Sequence, residues 1–514
     1  MPQNPTLQTA VVTPRGGSLA TNLAWNLAGE STPVLAAVFA IPTLLHHLGP
    51  DRFGVLTLSW MIAGYFGMFD FGLGRALTKA MAQEIGLGRN AKAATLLWTS
   101  LVTMFSLGAL AGVVLALIAP WLTTRALRIP FALRDETLTG LYVIAIGLPM
   151  LISSSALRAA LAAADRFDLL NLVRTPSGIL GFVAPVLMLP FTHRLGWLIA
   201  ALVLNRMLTW SCYAMAIGGA LAELRRLPRL EVACLIPLLG FGAWITVSNV
   251  ITPMMVYLDR FVIGATLSMA ALTAYSVPME IVSKSFVFPA AVSGVIFPAF
   301  ARSFAVAPAV ITALFERALK LVAFVLYPAC AMVVAFAPQI MSVWIGPQYA
   351  AQSAVVLQIL AVGAFVTGLS WIPLALLHGA DRPDLAAKIH LVDFPLYALA
   401  MWIFVGRFGL AGAAFTWSGR LLIENLVLFA MTAPFIEVSR REVVGACAAL
   451  IGAIVVIASG AFISDLWGKS IFIGGIFAMT AVAGWRVVLD ETTRARIVGF
   501  IPSVLRPASG RLAN

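Results

Sequence analysis

Ala164-Asp165-Arg166-Phe167-Asp168-Leu169 returns in the second half of the chain as Ala380-Asp381-Arg382-Pro383-Asp384-Leu385. The echo extends outward on both sides. Leu172-Val173 with Pro176 returns as Leu391-Val392 with Pro395, and Arg194, Gly196, Ala200-Ala201 and Arg206 return as Arg407, Gly409, Ala413-Ala414 and Arg420. Upstream, Ala24-Trp25 with Thr32-Pro33 matches Ala243-Trp244 with Thr252-Pro253. Any single match is weak in a chain rich in Ala and Leu. Together, in one order and at nearly constant offset, they read as a duplication.

The chain around these motifs cannot be soluble. Apolar residues make up 61% of its 514 residues and charged residues 11%, against usual values of about 45–50% and about 25%. The apolar residues come in blocks of about twenty, the length of helix that crosses a hydrocarbon core about 30 Å thick. A lipid-exposed backbone must satisfy its own hydrogen bonds, and the blocks lack strand alternation, so all are expected to be helices. The expectation is an all-α polytopic membrane protein of about fourteen transmembrane helices. The repeat offset spans six of them, an even number, so the two halves share one orientation about an axis along the membrane normal. Transporters of that design bind substrate near the midplane, between the halves. The expected division is a cytoplasmic N-terminal arm (1–17), a first six-helix lobe (18–222), a linker (223–233), a second six-helix lobe (234–434), two extra C-terminal helices (435–489) and a basic tail (490–514).

A net charge of +12, from 34 Lys and Arg against 22 Asp and Glu, would suggest a nucleic-acid partner in a soluble protein. Here it has a simpler source: Lys and Arg fall on one side of the membrane in roughly threefold excess, which orients both termini toward the cytoplasm. No nucleic-acid partner is expected. Cys212, Cys234, Cys330 and Cys447 show no CxxC or CxxH spacing, so neither a disulfide framework nor a metal site is indicated. The glycine pairs Gly72/Gly74 and Gly86/Gly88 lack the Lys-Ser/Thr of a phosphate loop, and direct ATP use is not expected. No connecting loop reaches domain size, which disfavours a membrane glycan polymerase or ligase, and no catalytic residue is assigned.

Ionisable groups inside spans cost several kcal/mol unless they face water or a partner, so the few present are the candidate site. Asn22, Asn26 and Glu30 form a stripe at fourfold spacing beside Pro33, and Asn249 precedes Pro253 in the second half. Arg206 and Arg420 are repeat partners. Glu280 with Lys284, and Arg420 with Glu424, stand four residues apart and either neutralise each other or face the cavity. His390 and Asp393 share a span, with Asp393 at the repeat position of Arg174. Asp70, Asp259 and Arg260 close spans near the interfaces and are gate or boundary candidates.

Leu48-Gly49-Pro50-Asp51-Arg52-Phe53-Gly54, then Phe69-Asp70-Phe71-Gly72-Leu73-Gly74-Arg75, and in the second half Asp259-Arg260-Phe261-Val262-Ile263-Gly264 resemble polysaccharide flippases of the multidrug/oligosaccharidyl-lipid/polysaccharide exporter superfamily. The resemblance implies two six-helix lobes, alternating access, and movement of a lipid-linked oligosaccharide across the bacterial inner membrane, in company with membrane lipids and other polysaccharide-assembly proteins. It implies no cofactor beyond proton or sodium coupling. On that reading Arg206, Arg420 and Lys284 bind the pyrophosphate, helped by Asn22, Asn26 and Asn249, while Glu30, Glu280, Asp393 and Glu424 are ion-coupling candidates. A cation-coupled multidrug antiporter of the same fold is the other reading.

Overall fold

The computed structural model describes residues 19–68, 73–164, 166–220, 230–231, 243–306, 310–436 and 439–487. The side chains of Asn22, Asn26, Glu30 and Asn249, and all of Asp70, lie outside the described residues, as do the N-terminal arm, most of the linker and the basic tail.

Every regular element among the described residues is helical. The first lobe holds α1 (Leu19–Met68), α2 (Leu73–Gly86), α3 (Asn90–Trp121), α4 (Arg134–Ala163), α5 (Phe167–Met188) and α6 (Leu195–Ala220). The second holds α7 (Ala243–Thr266), α8 (Met269–Ser285), α9 (Val287–Val306), α10 (Val310–Ile345), α11 (Pro347–Gly379) and α12 (Pro383–Thr432). The added helices are α13 (Arg440–Ser459) and α14 (Leu466–Val487). They lean on α10, where Gly460 packs against Ala335 and Lys469 Nζ donates to Gln339 Oε1 at 3.0 Å.

Two helices of 50 residues double back. Gly409 in α12 has φ 60° and Gly49 in α1 has φ 75°, a region that glycine enters without penalty. Arg420 and Asp393 prove the turn in α12: they bond at 2.9 Å, whereas a straight helix would hold them about 40 Å apart. In α1, Pro33 and Trp60 lie on opposite sides of Gly49, yet both pack on α5, against Gly178 and Phe182. Among the described residues, ten helices are long and apolar enough to cross a membrane, against the fourteen spans expected, and α12 counts once although it doubles back. The short α2 falls outside the expected spans. It is amphipathic, burying Leu73, Leu77 and Met81 at fourfold spacing while Lys79 is exposed.

The duplicated motif folds the same way twice. Arg166 donates through Nε to Asp168 at 3.0 Å, and Arg382 does so to Asp384 at 3.0 Å. The backbone N–H of each arginine closes the preceding helix, on Leu161 and Leu377, at 2.9 Å. Within each lobe, small residues let backbones approach, which replaces the hydrophobic drive that lipid cannot supply. Gly108 and Gly112 of α3 lie against Pro149 and Ala145 of α4, and Gly363 of α11 lies against Ser418 of α12.

The lobes meet at one end. Pro50, just past the α1 turn, and Gly409, at the α12 turn, border the same cavity, so this is the hairpin end; the end of α6 and the start of α7 lie toward the other. Asp51 Oδ1 accepts the Ala270 N–H at 3.2 Å, the Pro50 carbonyl accepts the Thr273 hydroxyl at 2.7 Å, and the Gly264 carbonyl accepts the Arg128 N–H at 2.9 Å. Trp344 Nε1 reaches the Val38 carbonyl at 2.7 Å. Every hydrogen bond between the lobes among the described residues lies in this half of the molecule. Gly54 rests directly on the Met269 carbonyl, leaving no room for a Cβ. Valine at position 54 should therefore loosen the junction by about 1–3 kcal/mol. Faster modification of a cysteine placed at Thr273 by an impermeant maleimide, in a cysteine-free background, is the expected readout; an unchanged rate would show that closure does not depend on this contact.

Candidate functional site

Arg206 stands midway along α6, and the helix is turned by its polar neighbours. Asn205 Nδ2 donates to the Ser177 carbonyl at 3.0 Å, Thr209 Oγ1 donates to Ser177 Oγ at 2.6 Å, and Trp210 Nε1 donates to Ser153 Oγ at 2.9 Å. Those contacts pack this stretch of α6 on α5 and α4, and Arg206 lies on the same face, one turn before Trp210. Its side chain is exposed, although much of the protein lies near it. Its electrostatic neighbours are Arg158 of α4, the buried Tyr213, and Tyr257 of the second lobe. Arg174 of α5 acts on Tyr213 as well. Three arginines from three helices thus gather around one tyrosine. The end of α4 is buried at 151–153, 155–157 and 159–161 and exposed at Arg158, so that side chain emerges on the one open side.

Tyr257 carries the cleft across to the second lobe. Its hydroxyl fills the space over Gly64 of α1, and its ring faces the Arg260 guanidinium at 5.5 Å. Tyr257 thus lies between Arg260, which faces its ring, and Arg206, which acts on it electrostatically. Arg260 in turn feels Glu280, which pairs with Lys284 at 3.4 Å.

Arg420 occupies a different environment from its repeat partner. Nη1 bonds Asp393 at 2.9 Å and Glu424 at 3.1 Å, and the guanidinium lies over the Tyr397 ring at 4.9 Å. Glu424 also meets His390 Nε2 at 3.2 Å. The side chains of Arg420, Asp393, Glu424 and His390 are 12%, 18%, 14% and 20% exposed, so this cluster sits inside the second lobe. With a neutral imidazole, two carboxylates face one guanidinium and the cluster carries one excess negative charge. Asp259, fully buried, lies alongside: it accepts the Tyr275 hydroxyl at 2.7 Å and acts on Tyr397 and Arg420. His390 Nδ1, Arg420 Nε and the Tyr397 hydroxyl have no protein partner. No group of three or more His, Cys, Asp or Glu among the described residues is placed to hold a metal ion.

The structure thus divides the sequence candidates. Asp393, Glu424 and Arg420 come together with His390, Glu280 meets Lys284 and lies near Arg260, and Arg206 stands apart in the cleft. Sequence reasoning missed Arg158 and Arg174, which it counted as orienting charges. It also missed Pro50, Asp51 and Thr273, whose role appears only when α1 meets α8.

A model of the polysaccharide biosynthesis protein family matches residues 46–354. A putative O-antigen transporter from Shigella flexneri is 26% identical over 420 residues, covering 80% of this chain and 97% of that protein. Among solved structures, the inward-facing conformation of a multidrug resistance MATE family transporter of the MOP superfamily superposes with a TM-score of 0.69 at 14% identity, over 79% of this chain and 96% of that one. The lipid II flippase MurJ in an inward closed conformation superposes with a TM-score of 0.67 at 11% identity, over 90% and 99%. The chain belongs to the polysaccharide biosynthesis protein family, and its helical fold is like that of the MATE and MurJ structures.

Proposed function

We propose that the chain is an alternating-access transporter that moves a polyprenyl-pyrophosphate-linked oligosaccharide from the cytoplasmic to the outer leaflet of the bacterial inner membrane. The observation that carries this reading is the gathering of Arg206, Arg158 and Arg174 in a cleft joined shut at the hairpin end. The excess of Lys and Arg places the linker end, with both termini, in the cytoplasm, so the cleft opens inward. Guanidinium groups at this depth are costly unless hydrated or paired. A pyrophosphate would satisfy Arg206 with its oxygens, and the planar fork of arginine suits it. The lipid tail stays in the bilayer while the head group rises from Arg158 and Arg174 toward Arg206 and Tyr257.

Outward opening breaks the hydrogen bonds of Pro50 and Asp51 to α8. At about 1 kcal/mol net each, the junction is within reach of a bound ligand that favours one state over the other. The excess negative charge of the Asp393–Glu424–Arg420–His390 cluster is suited to take up a proton or a sodium ion, and its place between α12 and α7 lets that uptake bias the second lobe. Glu280 is held by Lys284 and serves less well; Glu30 remains a candidate by position. A drug antiporter carrying lipophilic cations would be opposed by the arginines of the cleft.

Arg206→Gln should lower translocation of a fluorescent lipid-linked oligosaccharide in proteoliposomes by about tenfold or more, with thermal stability unchanged, since Arg206 makes no ion pair among the described residues; flipping at the wild-type rate would refute the assignment. Arg420→Gln should behave differently. It leaves two enclosed carboxylates without a counter-charge, at about 3–5 kcal/mol, and should lower the melting temperature, while Arg420→Gln with Asp393→Asn recovers much of it. If the cluster couples transport, Glu424→Gln should abolish the response of flipping to an imposed pH or sodium gradient while flipping without a gradient persists. A retained response would remove Glu424 from the coupling site.

A further inference from the structure

A cavity of about 820 Å³ opens at the hairpin end, on the other side of the closed junction from Arg206. It lies between the α1 turn, the start of α8, the connection from α10 to α11 and the α12 turn. Its size falls within the range of about 300–1,000 Å³ typical of sites for small organic ligands. None of its lining residues is Asp, Glu, Lys, Arg or His. An anion would find no cation there, and a cation no carboxylate.

The polar groups on its wall are amides and hydroxyls. Gln348 and Gln352 sit one turn apart on the same face at the start of α11, both exposed, and neither makes a hydrogen bond within the described residues. Tyr349, half-buried, adds an aromatic surface beside them. Ser353, fully buried in the same wall, has a hydroxyl with no protein partner. The rest of the lining is mostly Ala, Leu, Ile and Val. Amides and hydroxyls both donate and accept, as sugar hydroxyls do, while the apolar surface and the Tyr349 ring suit the C–H faces of pyranose rings.

We propose that this cavity is a binding site for uncharged oligosaccharide, one that holds the glycan of the translocated product as it leaves the junction. That it faces the outside rests on the orientation given in the proposed function; the chemistry of the wall does not. Pro50, Ala270 and Thr273, which form the junction, also line the cavity. A glycan there touches both lobes at their point of closure.

The test is saturation-transfer NMR and equilibrium dialysis on the full chain in nanodiscs, with maltotetraose and chitotetraose as uncharged probes and tetragalacturonate as the anionic one. The expected result is saturable binding of at least one uncharged probe, weakened about tenfold or more by Gln348→Ala with Gln352→Ala, and weaker binding of tetragalacturonate. Both glutamines are exposed and make no internal bonds, so the melting temperature of the double variant should match wild type. No saturable binding of either uncharged probe, binding untouched by the double variant, or a preference for tetragalacturonate would each overturn the proposal. Arg206→Gln separates the two sites. It should leave binding of the uncharged probes intact, so wild-type flipping by that variant would defeat the proposed transport mechanism and leave this site standing.

Discussion

A guanidinium in the depth of a bilayer must find water or a counter-charge, and that constraint orders the whole molecule. Arg206 and Arg420 occupy equivalent positions of a duplicated sequence, and each satisfies the constraint by the opposite means. Arg420 is enclosed by Asp393, Glu424 and the Tyr397 ring. Arg206 lacks such partners and lies where water reaches it, in company with other arginines. A duplication that began with two like halves has become one lobe that offers positive charge to the cleft and one that stores a charge cluster within itself. This asymmetry suits coupled transport, because a ligand and an ion need separate sites whose occupancies bias the same two-state motion.

The same constraint explains the junction. Helix N-termini present unpaired N–H groups, and α8 begins at the meeting of the lobes. Ser268 caps it from its own chain segment, accepting the Ala271 N–H at 3.0 Å, and Asp51 caps it from the other lobe through the Ala270 N–H. Separating the lobes removes the second cap but not the first. The helix therefore survives opening with only part of its capping lost, which keeps the cost small enough to reverse in each cycle. The close seat of Gly54 on the Met269 carbonyl adds a steric fit, beside buried apolar residues of both lobes such as Phe53, Leu127, Met269 and Leu272.

Much of this was legible in the sequence, for physical reasons that can be traced residue by residue. The Arg166/Asp168 and Arg382/Asp384 pairs are local, two residues apart, so a repeated motif dictated a repeated turn. Arg420 and Glu424, four apart, were bound to be neighbours on any helix. His390 and Asp393 joined them only because Gly409 reverses α12, and a glycine in a membrane helix does not by itself announce a reversal. The junction was less accessible still. Asp51 and Ala270 are far apart in sequence, and their contact exists only in the closed arrangement of the lobes. Arg158 and Arg174 were hidden by their position, since arginines close to the linker end of a helix serve equally well as topological signals. Burial decides between the two roles, and only packing sets burial: the last turns of α4 are buried around Arg158, and no pattern in its sequence says which side stays open.

The chemistry of the two openings completes the argument. Inside, the cleft is arginine and tyrosine; at the hairpin end, the cavity wall is amide, hydroxyl and small apolar groups. A molecule with an anionic head joined to a neutral glycan meets the first surface with one part and the second with the other. On the proposed function, charge would draw a pyrophosphate to the entry, where the arginines would hold it. At the exit no cation competes for it, so the head group is free to leave while its sugars are held by weaker neutral contacts. Unequal affinity for two parts of one substrate would shape its path, while the gradient of substrate or coupled ion sets the net direction; the Pro50–Thr273 junction lies at the boundary between the two surfaces.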